Sequence, residues 1–108
     1  MKIIYNNIIP IKGFSAINLF GTLFIRKGNS ISWHRINHEE IHKVQMKELF
    51  FVLFYPLYVL EWIFRLVQYR NFRKAYLNIS FEREAHTNRY NLEYLKTREK
   101  YEFIKYLK

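Results

Sequence analysis

The residues with the clearest chemical potential are His38, Glu39 and His42, which fit the pattern H-E-x-x-H. On an α-helix, positions i and i+4 share a face, so the two imidazoles project together and can grip one metal ion. Zinc (Zn2+) suits that grip, because imidazole nitrogen is among its preferred ligands. Glu39 then lies beside the metal as the candidate general base for a bound water. Cysteine is absent, which excludes thiolate metal sites and disulfides. All nine acidic residues are Glu, so any metal must be held by His and Glu.

Several elements must position this motif. Residues 1–12 (MKIIYNNIIPIK) favour a short strand or extended arm, broken by Asn6-Asn7 and Pro10. Residues 17–26 are again strand-like. Residues 27–30 (KGNS) supply turn chemistry before a second β-prone piece at 31–33. A small hairpin or two-stranded sheet ahead of the motif helix is expected, and an open sheet edge there could hold an extended peptide. The helix has two candidate starts. Asn37 could cap it, with Glu40 completing a capping box and Ile36 and Ile41 at the staple positions, or Ser32 could cap it one turn earlier. Gln45 follows His42 by nearly one turn, where it either supports the site or is simply buried near it.

Residues 49–67 (LFFVLFYPLYVLEWIFRLV) are the most apolar stretch. Glu61 and Arg65, spaced i, i+4, could pair, and Pro56 falls near the middle. The stretch reads first as a central core helix bent at Pro56, with a membrane span or an interfacial helix as rivals. A loop is expected over 69–78, followed by a helix capped by Ser80. Glu82 and Glu84 in its first turn complement the helix dipole. Phe81, Ala85, Asn88, Leu92 and Leu95 mark its buried stripe, with Glu82 and His86 on the flank. The tail (YEFIKYLK) reads as a last helical turn or short strand closing on the core.

With 108 residues, 50% hydrophobic, the chain suits one domain over 1–108 and has ample core material. The net charge of +9 invites a nucleic-acid or acidic-membrane partner. The basic residues are scattered and no nucleic-acid-binding signature accompanies them, so nucleic acid is disfavoured. No signal-peptide pattern opens the chain, and a cytoplasmic or membrane-associated location is expected.

A catalytic zinc site needs a third protein ligand beside an open water position. Glu48 has the spacing of the metzincin third ligand, but Gln45 stands at the glycine position that would let the chain turn back. Glu48 is therefore disfavoured. The pair His38-Glu39-x-x-His42 and Phe81-Glu82-x-x-Ala85 resembles the gluzincin metallopeptidases, in particular the membrane-linked CaaX-type and heat-shock-type proteases. The size is similar to that of the minigluzincins. The resemblance covers residues 36–48 and 79–90. It implies that His38, His42 and Glu82 are zinc ligands and that Glu39 is base and proton shuttle. Taken alone, Glu82 reads as a surface glutamate serving the helix dipole. The family's motif usually ends in an Asp that orients a zinc-binding histidine. Here His86 stands in that place, as a neutral acceptor, an oxyanion donor or a replacement ligand. The expected protein is thus an α+β zinc peptidase acting on a peptide or protein substrate. Its oxyanion would be stabilised by a donor among His86, Tyr90, Tyr76 and His34. The alternatives are a non-catalytic module of the same fold and a basic membrane-surface protein.

Overall fold

The computed structural model describes residues 2–9, 16–29 and 31–107, and the fold is α+β. Three strands, β1 (Lys2–Asn6), β2 (Ala16–Leu19) and β3 (Thr22–Arg26), form one sheet in the order β1-β3-β2. β3 is central, parallel to β1 and antiparallel to β2. Its alternation puts Leu23 and Ile25 on the buried face. The hairpin turn is Phe20-Gly21, inside the expected strand 17–26, because Leu19 pairs directly with Thr22. Both turn residues have positive φ, 52° and 86°, the condition for a two-residue turn that matches strand twist. The expected second β piece at 31–33 is instead the entry to a helix. Pro10, Ser30 and the terminal residues lie outside the described residues.

The motif helix α1 runs Trp33–Glu48 with Ser32 at its N-cap, so the motif sits more than a turn inside regular helix. Asn37 is no cap for its own helix. It is buried, and its Nδ2 donates to the carbonyls of Arg89 (2.8 Å), Asn91 (3.1 Å) and Asn88 (3.4 Å). Those carbonyls lie at and just beyond the end of another helix, where intrahelical donors run out.

The apolar stretch 49–67 is not one helix bent at Pro56. The chain breaks after α1, with Phe50 and Phe51 both left-handed (φ 56° and 61°), and α2 begins anew at Phe54 and runs Phe54–Tyr69. Pro56 therefore falls in the first turn, where its missing N–H and fixed φ cost nothing. Nor is α2 a central core helix, since only Phe54 and Arg65 on it are buried. Among the described residues no helix is long and apolar enough to cross a membrane. The expected loop 69–78 contains a short helix, α3 (Phe72–Leu77), capped by the Asn71 side chain on the Lys74 N–H at 2.9 Å.

Helix α4 (Ser80–Asn88) carries the second set of site residues. Ser80 is its first residue rather than its cap. The free donors there are met by Glu61 of α2, which accepts from the Ser80 N–H and hydroxyl at 2.6 Å each. Glu61 also pairs with Arg65 at 3.8 Å, as the spacing predicts. Phe81 and Ala85 are buried, but α4 ends at Asn88, so Leu92 leaves the stripe and is exposed. After the short α5 (Tyr94–Thr97), a 3-10 helix (Glu102–Tyr106) sends Phe103 into the core with Met46, Phe54, Ile79 and Phe81.

Glu61 thus ties α2 to the start of α4. Replacing it by Ala strands the Ser80 donors and removes a partner of the buried Arg65. We expect a loss of roughly 2–3 kcal/mol in urea denaturation.

Candidate metal centre

Helices α1 and α4 face each other and bring His38, His42 and Glu82 together across about forty residues of sequence. His38 Nε2 and His42 Nε2 each lie 3.1 Å from Glu82 Oε1, and 3.0 Å from one another. All three side chains are buried. Three donor atoms at such distances form a compact triangle. Tetrahedral zinc with bonds of roughly 2.0–2.1 Å holds its ligands about 3.3 Å apart, so small outward movements suffice to seat an ion. His86 approaches from the next turn of α4, with Nε2 3.7 Å from Glu82 Oε1 and its ring 4.6 Å from that of His38. Donor atoms of His38, Glu82 and His86 all lie within 4.8 Å of one another, a group that could hold a metal ion.

The residues behind this group fix its orientation. His42 Nδ1 is 2.7 Å from Gln45 Oε1, which can only accept, so Nδ1 carries a proton and Nε2 is the nitrogen turned to the site, where it can bind an ion once its own proton leaves. Gln45 is held in turn, donating through Nε2 to the Phe81 carbonyl and to Glu84 Oε1, both at 3.0 Å. Glu84 is fully buried and is answered by Tyr94 (2.7 Å) and by the Arg98 guanidinium. Arg98 also makes a two-pronged pair with Glu48 at 2.9 and 3.0 Å. This commits the carboxylate of Glu48 to Arg98. Tyr58 of α2 donates to Glu82 Oε2 at 2.6 Å, leaving Oε1 for the histidines.

The charges follow from these contacts. Burial opposes ionisation of Glu82, but the two histidines outweigh it and hold its carboxyl well below the usual carboxylate range. Burial likewise opposes a charge on His42. Glu82 prevails, with help from Glu39 and Gln45, and lifts it to about 9. For His86, burial and the neighbouring His38 lower the value to about 4, so this ring is neutral near pH 7. Its Nε2 and the Nδ1 of His38 are buried without a hydrogen-bond partner. Tyr58 and Tyr76 are both pushed up by burial and by Glu82, so they stay protonated donors.

The group forms one wall of a cleft of about 680 Å³ between α1, α2 and β2. Glu39 lines it, and Asn18 of β2 donates to the Glu39 carbonyl (3.1 Å) and to its Oε1 (3.2 Å). Tyr76 also lines the cleft, whereas His34 and Tyr90 do not. Those two stack on each other at 4.7 Å beside Trp33. Sequence reasoning did not reach Asn18, Tyr58 or Arg98, and it gave Glu84 only a role at the helix dipole. Their only signal was polarity at positions bordering apolar ones. No protein-family model, curated protein or solved structure matches the chain.

Two outcomes are expected. Gln45→Leu releases the His42 ring and should weaken zinc binding by roughly 10- to 100-fold in a chelator competition. In chelator-treated protein, His42, raised from 6.5 to about 9, contributes stability below pH 6.5 that is lost as pH rises through 9. His86, lowered from 6.5 to about 4, contributes stability above pH 6.5 that is lost as pH falls through 4, and Glu82 adds to that acid limb. The thermal midpoint should therefore peak near pH 6.5. Glu82→Gln should flatten its alkaline side.

Proposed function

We propose that this chain is a zinc-dependent peptidase, with His38, His42 and Glu82 holding the ion and Glu39 acting as general base. The observation that carries the reading is the donor triangle of 3.0–3.1 Å. The His42 ring in it is oriented by Gln45, and the triangle is set in the wall of a cleft that also contains Glu39. The donors are the nitrogen and oxygen ligands zinc prefers, and the motif pair resembles that of the gluzincins. The buried, unpartnered Nε2 of His86 also fits a site built around a cation.

A bound zinc would acidify a water molecule and polarise a peptide carbonyl. Glu39, its carboxylate steadied by Asn18, takes the proton and delivers it to the departing amine. Tyr58 keeps Glu82 in the rotamer that faces the histidines. Tyr76, a protonated hydroxyl in the same cleft, and neutral His86, whose Nε2 is 3.7 Å from Glu82 Oε1, are the donors we assign to the developing oxyanion. Among the described residues β2 is an edge strand bordering the cleft, so an extended peptide can pair along it. The cleft walls, with Ile17, Leu19, Met46 and Phe54, favour apolar side chains.

A second reading keeps the metal without turnover. His86 Nε2 is close enough to close the fourth position, which would give the sealed coordination of a structural site. Zinc content and peptide hydrolysis separate the two. On the peptidase reading, wild type holds one zinc, Glu82→Ala loses it, and Glu39→Gln keeps it while hydrolysis falls by roughly 10²- to 10⁴-fold. On the structural reading, His86→Ala weakens zinc binding sharply and wild type cleaves nothing. Wild type that takes up no zinc rejects both.

A further inference from the structure

The outward side of α2 is apolar and carries no charge. Leu57, Leu60, Ile63, Phe64 and Val67 are 43–73% exposed, and their spacing sets them on one side of the helix. The two charged residues of α2, Glu61 and Arg65, are both drawn inward to Ser80, to each other and to the Leu107 carbonyl. The opposite side of α2 is already in use, since Tyr55 and Tyr58 line the cleft. In the turn before the helix, left-handed Phe50 is 77% exposed and the neighbouring Val52 70%. At the other end, Arg70 closes α2, and α3 follows with exposed Phe72, Arg73 and Lys74. The Phe72 ring lies 6.2 Å from Trp62, which holds the start of α3 against α2. Large apolar residues scattered over a surface are ordinary, but a continuous helical face of them marks an interaction site.

Charge decides what it meets. A second copy would bring another +9 against the first, whereas anionic lipid carries the opposite sign. An apolar helical face with basic residues at its end is the pattern of a helix lying in the plane of a bilayer surface. We propose that α2 lies on an anionic membrane surface. Its apolar face sinks among the acyl chains, and Arg70, Arg73 and Lys74 rest against the headgroups. At sixteen residues the helix lies along the bilayer rather than across it. The cleft, on the other side of α2, stays open to water. The inference does not depend on the metal site.

The test is co-sedimentation of the full chain with vesicles of phosphatidylcholine alone and of phosphatidylcholine mixed with phosphatidylserine. Wild type should bind the mixed vesicles at least roughly tenfold better, with the difference shrinking in high salt. The double variant L60E/F64E, whose side chains are exposed, should keep its circular dichroism and lose vesicle binding by roughly a hundredfold. Independently, R70Q/R73Q/K74Q should weaken binding on the order of a hundredfold. Three results would overturn the proposal. These are no binding to mixed vesicles, mixed-vesicle binding that neither variant reduces, and a wild-type dimer in sedimentation that L60E/F64E converts to monomer without any vesicle binding.

Discussion

A carboxylate shielded from water is stable only where its charge is answered at close range, and the architecture is arranged around two such groups on one helix. Glu82 and Glu84 are both buried. They are spaced i, i+2 on α4, so they point in different directions and must be answered by different partners. Glu82 is met by His38 and His42 from α1 and by Tyr58 from α2. Glu84 is met by Gln45 from α1, Tyr94 from α5, and Arg98. Helices α1, α2 and α5 thus all contribute partners to the two buried carboxylates of α4. The packing of α1 against α4 is in this sense an electrostatic requirement as much as a hydrophobic one.

Gln45 joins the two halves. It accepts from His42 on one side and donates to Glu84 on the other, so the orientation of a ring that borders the cleft is set by a carboxylate that never reaches it. Arg98 extends the same chain of contacts to Glu48 at the end of α1. Each group in this buried series has its hydrogen bonds satisfied by the next. That is the condition under which a polar interior rigidifies a site instead of weakening it. The imidazole pair is therefore held by the tertiary structure before any ligand arrives, which lowers the cost of binding one.

Helix α2 resolves a conflict within the most apolar part of the chain. A single helix over 49–67 would leave too many large side chains with no core to enter. The break at Phe50-Phe51 lets α1 end and α2 turn back against α4 through Phe54, Tyr58 and Glu61. One side of α2 then serves the site and the core, and the remaining apolar residues face outward. Hydropathy along the sequence does not distinguish these two sides, because both are built of Leu, Val, Ile, Phe and Tyr.

The local chemistry was fixed by sequence. The i, i+4 spacing of His38 and His42 places two imidazoles on one helical face whatever surrounds them, and the absence of Cys and Asp limits the available ligands to His and Glu. The pairing of Glu61 with Arg65 and the burial of Phe81 and Ala85 followed from the same periodicity. The ends of elements did not. Asn37 and Ser80 have the composition of helix caps, yet Asn37 serves the end of α4 and Ser80 is served by Glu61, since a distant partner outcompeted the local one. The hairpin turned at Phe20-Gly21 because strand pairing, not turn composition, set its register. Asn18 against Glu39, Tyr58 against Glu82 and Arg98 against Glu84 join residues between 14 and 24 positions apart. Such contacts depend on how helices and strands pack. A side chain's neighbours within a turn are set by helical geometry, but its partners across the fold are set by burial and charge compensation, which exist only once the chain has folded.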